Sequence, residues 1–473
     1  MKKGLFILSS TLLLYMSSCM LGPDFQKPDI DSPAAFRFDT VNPNDSMINL
    51  RWWELFEDPL LDTLIVHALE NNRDVLATAA RVDAARSNIG FTKADQWPSF
   101  SYITGTSSSG IGSNNTNNFY AYPELVWEVG FWGKYRRLNE AARAQYVASE
   151  YGKRSIQISL ITAVASSYFT ILAINEQLRI SVLTLESRNN GLIIMMDKYE
   201  GGTISEMDVN QAKIQRDIAA TVIPGLKRAI ALNENSLSIL IGENPKVIET
   251  GPRFIEQEYK LDIPIGMPSE ILERRPDIRA AEAAYEAQNA QVGVAEALRW
   301  PSLSLTGLLG VASNDLSSLN AAGLAWSSSA NLLGPIFQFG KNKRRVDIAR
   351  YNTYASLMEY ESTVLQAFKE VEDALVKINT YEEEMLAQES RSLTAMSSES
   401  LSMVRYAEGL TTYLEVLEQQ RQSFGSQLDY VLARLNVLNS YILLYKSLGG
   451  GWLSSEEETI INNSLDSLQF NNN

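Results

Sequence analysis

"NNRDVLATAARVDAARSNIGFTKADQWPSFSYITG", residues 71–105, and "RRPDIRAAEAAYEAQNAQVGVAEALRWPSLSLTG", residues 274–307, carry one pattern twice. Asp74 aligns with Asp277, Trp97 with Trp300 and Pro98 with Pro301, all at an offset of 203. Further on, Gly133 aligns with Gly340, Tyr199 with Tyr406 and Gly202 with Gly409, at 207. The second copy therefore holds four extra residues between its Trp-Pro and its Phe-Gly. Self-similarity at a fixed offset marks a duplicated unit.

Each copy reads in the same order. An alanine-rich helix is expected over 60–95 and again over 268–298, ended by Trp-Pro because proline disfavours helix in the residue before it. Two strand-like runs follow, "SFSYITGTSSSG" and "NNFYAYPELVWEVGF", with counterparts "SLSLTGLLGVAS" and "LAWSSSANLLGPIF". Their alternation puts Phe100, Tyr102 and Thr104 on one face. Then come very long helices: no proline lies between Lys134 and Lys198, or after Pro335. A helix of that length spans about 100 Å and needs neighbours. A seven-residue seam supplies them through Val164, Ile171, Leu178, Leu185, Leu192 and Tyr199, with Ile161, Tyr168, Val182 and Met196 beside it. The second copy's seam is weaker: Val371, Ile378 and Met385, then Ser392 and Glu399. "YEGGTISEMD" (199–208) and "YAEGLTTYLE" (406–415) sit where one long helix stops and the next starts. Gly201, Gly202 and Gly409 provide the backbone freedom for reversal, so both stretches read as tips of helical hairpins.

One cysteine and one histidine rule out an internal disulfide and leave no Cys/His zinc set. His67 reads as an ordinary helix residue. The net charge of −15 argues against nucleic acid as a partner. Residues 1–18, with Lys2 and Lys3 before an apolar run, read as an export signal. "YMSSC" has the form of a lipobox, which would leave Cys19 as a lipidated N-terminus. No later stretch offers eighteen purely apolar residues, so a membrane crossing is expected as β-structure. No nucleophile–base pair, phosphate loop or metal cluster is visible, so neither catalysis nor a cofactor is expected.

These residues together resemble the TolC-type outer-membrane factor family, in its efflux lipoprotein (NodT) branch. The resemblance rests on "CMLGPDFQKP" from Cys19, "WWELFEDPLLDTLI" from Trp52, "ELVWEVGFWGK" from Glu124, the two Trp-Pro copies, "YAEGLTTYLEVLEQQR" from Tyr406, and "LGGGW" ending at Trp452. It implies a mainly α protein with membrane β: a trimer whose chains each give four strands to a twelve-stranded outer-membrane barrel, continued by a periplasmic helical tunnel. The implied division is signal 1–18, lipidated N-terminus and linker 19–58, first repeat 59–242, equatorial connector 243–266, second repeat 267–448 and equatorial tail 449–473. The implied function is the passive exit duct of a tripartite efflux system, with an inner-membrane pump and a periplasmic adaptor as partners. The alternatives are a duct for secreted polypeptides and a periplasmic coiled-coil scaffold.

The resemblance also implies sites. The adaptor would dock at the tips, on Gly201, Gly202, Thr203, Gly409 and Leu410. Glu415 and Glu418, three apart on one helical face, would ring the periplasmic mouth. Asp208 and Gln211 hold the matching places in the first copy. Thr411 stands where some relatives have an arginine that latches the closed state, so the latch here is expected to rest on hydrogen bonds among Tyr406, Thr412 and Asp208. Tyr120, Tyr122, Trp127 and Trp132 are expected to form an aromatic belt at the membrane boundary.

Overall fold

The structure, a computed structural model, describes residues 20–33, 35–37, 56–112, 114–251, 253–256, 268–321 and 323–450. The signal segment, Cys19, Pro43, Trp52 and residues 451–473 of the tail lie outside the described residues. The principal helices and strands run in the order α1 (Pro59–Asn71), α2 (Arg73–Ala94), β1 (Ser99–Ile111), β2 (Asn114–Val129), α3 (Lys134–Glu200), α4 (Glu206–Leu240), α5 (Pro268–Arg274), α6 (Pro276–Ala297), β3 (Ser302–Ser313), β4 (Leu324–Leu333), α7 (Lys341–Ala407) and α8 (Tyr413–Ser447).

Each of the two expected leading helices is in fact a pair. Asn72 is extended and separates α1 from α2; its side chain then caps α2 by accepting from the Asp74 and Val75 amides. In the second copy Arg275 precedes Pro276, and proline both lacks an amide proton and restricts its predecessor. The two breaks are used alike. Asn72 Nδ2 donates to Leu240 O at 2.9 Å, and Arg275 Nη1 donates to Ser447 O at 2.9 Å. The carbonyls freed at the ends of α4 and α8 thus find matching donors.

The chain forms two compact units, each drawing on both copies. Of the described residues, those within 20–30, 80–152 and 277–363 form one, and those within 31–79, 153–276 and 364–450 form the other. In the second, Asp58 is 1% exposed and caps α1 through Oδ1, while its Oδ2 accepts from the Tyr168 hydroxyl at 2.6 Å. That hydroxyl in turn accepts from the Gly251 amide. Around this knot pack Leu61, Ile65, Phe169, Leu237, Leu438 and Ile442. One window of α3 is apolar enough to cross a membrane, but 61% of it is buried by the rest of the chain, and we read it as core. α4 stays helical through Pro224, which removes one helical hydrogen bond.

The seam holds only in part. Val164, Ile171 and Tyr168 are buried, but Val182 and Met196 are 45% and 43% exposed. Leu192 of the main row is buried too, while the places expected for Val182 and Met196 are taken by Ser181 and Met195, each one position earlier, with Arg188 buried between them. One residue is about 100° of helix, far more than the ~20° per heptad of supercoil drift. The companion row of α3 therefore shifts because its neighbours change, with Arg188 meeting α4 and α8 there, while the main row still buries Leu192.

In the other unit the strands form one antiparallel sheet in the order β1-β2-β3-β4. Copy one's hairpin pairs directly with copy two's through β2 and β3. The register keeps one parity throughout, so side chains can be followed across it. One face holds Phe100, Tyr102, Leu125, Trp127, Leu305, Leu309, Trp326 and Leu332. The other holds Ser101, Tyr120, Tyr122, Glu124, Ser304, Thr306, Ser327 and Asn331, with Ile103 and Leu308 among few apolar exceptions. An apolar face against a polar one is the pattern of a membrane barrel. The expected aromatic belt is corrected on this point: Trp127 lies on the apolar face, whereas Tyr120 and Tyr122 lie on the polar one. Tyr120 covers Gly105 and Tyr122 covers Gly310, where a side chain would collide. Trp132 is on neither strand; it packs on Trp300 with ring centroids 5.1 Å apart and donates to Pro301 O. Accordingly, in membrane-embedded protein, Tyr120→Cys should react with an impermeant maleimide and Trp127→Cys should not. The reverse labelling pattern would invert the two faces.

Candidate functional site

The helical tips are built by local chemistry. α3 ends with Gly201 N–H donating to Asp197 O and Thr203 N–H to Lys198 O, around Gly202 at φ +73°. α7 ends the same way, with Leu410 N–H donating to Arg405 O around Gly409, also at +73°. Gly201, unlike Gly202, is not in the left-handed region. Leu410 is exposed at the second tip.

The next helices start differently in the two copies. Ser205 and Asp208 form a reciprocal capping box at the start of α4. The equivalent Thr412 makes no side-chain cap. Glu415, the residue equivalent to Asp208, instead accepts from the Thr411 hydroxyl and pairs with Arg405 at 3.4 Å. Glu418 pairs with Arg421 at 2.8 Å. Hydrogen bonds from Arg421, and then from Gln422, hold Glu418 below the usual carboxylate range.

A groove of about 630 Å³ brings Gln211 and Ile214 of α4 together with Thr412, just before α8, and Glu415, Leu417 and Glu418 of α8. Both carboxylates, which their spacing puts on one helix face, line the groove beside Gln211, while Asp208 and Tyr406 are not among its lining. The residues expected to form the latch do not hydrogen-bond to one another here. Asp208 is committed to its cap, and the Tyr406 hydroxyl points to Met195 Sδ at 3.7 Å. What joins the tips of the two copies is largely apolar: Leu192, Met195, Val209 and Ala212, with Tyr406 and Tyr413 against them. The two tyrosine rings lie 5.4 Å apart, and Lys198 sits over Tyr406. Burial, with Tyr406 and then Asp208 contributing, pushes the Tyr413 phenol up to about 12.

Sequence reasoning missed three cations here. Arg421 was legible, being three residues after Glu418 on the same helix. Arg405 reaches Glu415 only because the tip reverses the chain. Arg188 is 5% exposed and donates to Gln215 O at 2.6 Å and to Gln420 O at 3.3 Å, with its guanidinium over Phe424. Burial lowers its pKa. It ties α3 to one helix from each copy. Among the described residues no cluster of His, Cys, Asp and Glu could hold a metal.

A sheet with one apolar face and open edges, and two long helical hairpins that meet at a charged groove, are the parts expected of a membrane-channel subunit. The chain belongs to the outer membrane efflux protein family, whose model matches residues 64–243 and again 267–450. It is 32% identical over 470 residues to the toluene efflux pump outer membrane protein TtgC of Pseudomonas putida, covering 96% of each chain. It is likewise 32% identical over 455 residues to the cation efflux system protein CusC of Escherichia coli, covering 94% of this chain and 98% of that one. The solved outer-membrane channel OprN superposes with a TM-score of 0.86 at 28% identity, over 92% of this chain and all of that one. The protein is therefore an efflux channel of the outer membrane, mainly α with membrane β; the secretion and scaffold alternatives are not favoured.

Proposed function

We propose that three copies of this chain close a twelve-stranded barrel and act as the passive exit duct for a periplasmic adaptor and an inner-membrane pump. The observation that carries this is the sheet itself. β1 and β4 are its edges. Open edges are not tolerated in lipid, and four strands are too few to close alone. Native mass spectrometry in detergent tests it: a trimer is expected, and a monomer or dimer is incompatible with closure. The adaptor docks at Gly201, Gly202, Thr203, Gly409 and Leu410, and the groove with Glu415 and Glu418 forms the mouth. Relatives equally distant at 32% identity are named for toluene and for cation efflux. That supports a wall that does not choose cargo, with the choice made by the pump and no catalysis by the duct.

Lipidation of Cys19 belongs to the same reading. Met20, its neighbour, packs on Gly133 just after β2, and Leu21 N–H donates to Trp132 O. Arg137, 1% exposed, holds the next residues through Leu21 O, Gly22 O and Asp24. A lipid on Cys19 would start close to the foot of the strands. Mass spectrometry of the N-terminal peptide should show acylated Cys19; an unmodified thiol, or cleavage elsewhere, would end the idea.

A further inference from the structure

We propose that the basic turn Lys341, Lys343 and Arg344, at the start of α7, binds the phosphate groups of phospholipids in the leaflet that meets the foot of the sheet. The proposal rests on the apolar face being the lipid face. "LLGPIFQFGKNKRR", residues 332–345, changes from apolar to cationic within a few residues. Ile336, Phe337 and Phe339 are strongly exposed, directly after Leu332 of the apolar face. The Phe337 and Phe339 rings lie 4.7 Å apart. Exposed aromatics followed by cations are the order of a membrane–water interface.

The cations themselves need an explanation. Positive charge at a helix N-terminus opposes the helix dipole. The first copy answers this within the chain: Lys134 pairs with Glu128, and Arg137 pairs with Asp24 and Glu140. The second copy does not. The first turn of α7 has no acidic residue, and Lys341, Lys343 and Arg344 make no ion pair among the described residues. In a chain of net charge −15, an exposed basic run without carboxylates runs against the composition. A phosphate would satisfy the three cationic side chains. Continuity with the apolar face points to phosphate carried on a lipid.

The test uses the full-length channel in nonionic detergent, titrated with dispersed phosphatidylglycerol, with bound lipid counted by native mass spectrometry. Lys341→Gln, Lys343→Gln and Arg344→Gln together should weaken binding about a hundredfold. Lys369→Gln with Arg391→Gln, further along α7, should leave it unchanged. Unaltered binding by the triple variant overturns the proposal, and so does equal displacement by inorganic phosphate. Dissociation of the assembly by the triple change also overturns it, since the cations would then be pairing with a neighbouring copy. If the wild type fails to insert into phosphatidylglycerol vesicles, the lipid-face reading falls and takes this proposal with it. Normal insertion with unaltered lipid binding sinks this proposal alone.

Discussion

Gly242→Ala is expected to destabilise the helical region by about 2–5 kcal/mol, combining a left-handed backbone penalty with overpacking. Gly242 lies at φ +79°, and a Cβ there would stand 2.3 Å from Asn71 O. That carbonyl belongs to the last residue of α1, next to the Asn72 break that receives Leu240 O. The clash is with backbone, so relief requires moving α1. The equivalent Gly449, at φ +95°, faces the end of α5, but its nearest atom is 3.2 Å away. Gly449→Ala should therefore cost mainly the backbone term, about 1–2 kcal/mol, with a smaller steric addition. Thermal melts of the detergent-solubilised protein, followed by circular dichroism, should rank wild type above Gly449→Ala and Gly449→Ala above Gly242→Ala. Equal losses at the two positions would show that the Asn71 contact does not matter.

The second large effect is expected in conduction. If Glu415 and Glu418 ring the mouth, three chains place six carboxylates there, but each comes with its own cation, Arg405 or Arg421. The pairs are exposed, so they are weak and leave the charges free to act on passing ions. Arg421→Gln should raise cation preference, because it removes positive charge beside Glu418. Glu415→Ala with Glu418→Ala should lower that preference and weaken block by multivalent cations. Single-channel recording in planar bilayers measures both. The pH dependence has a definite sign. Arg421 depresses the Glu418 pKa, so its charge, and the selectivity it supports, is present above that value and lost as pH falls through it. Selectivity in wild type should therefore persist to lower pH than in Arg421→Gln. Identical selectivity in all three proteins would remove these carboxylates from the mouth.

The sequence by itself determined the duplication, the four strands, the long helices and the two tips. Each depends on signals local to the chain: offsets that repeat, proline after tryptophan, alternation within a strand, and glycine where the backbone turns left-handed. It also held more than was read from it. Tyr120 and Trp127 differ in parity, which already separates their faces, and Ser205 with Asp208 is a capping box in plain spelling. Tertiary structure alone decided the rest. The pairing of β2 with β3 joins copies far apart in sequence, and only its register shows that the apolar sides of all four strands coincide. Arg405 finds Glu415 across a reversal whose geometry no single residue specifies. Arg188, Asn72 and Arg275 bind backbone carbonyls, and a carbonyl is the same at every residue, so no pattern of side chains could name those partners in advance.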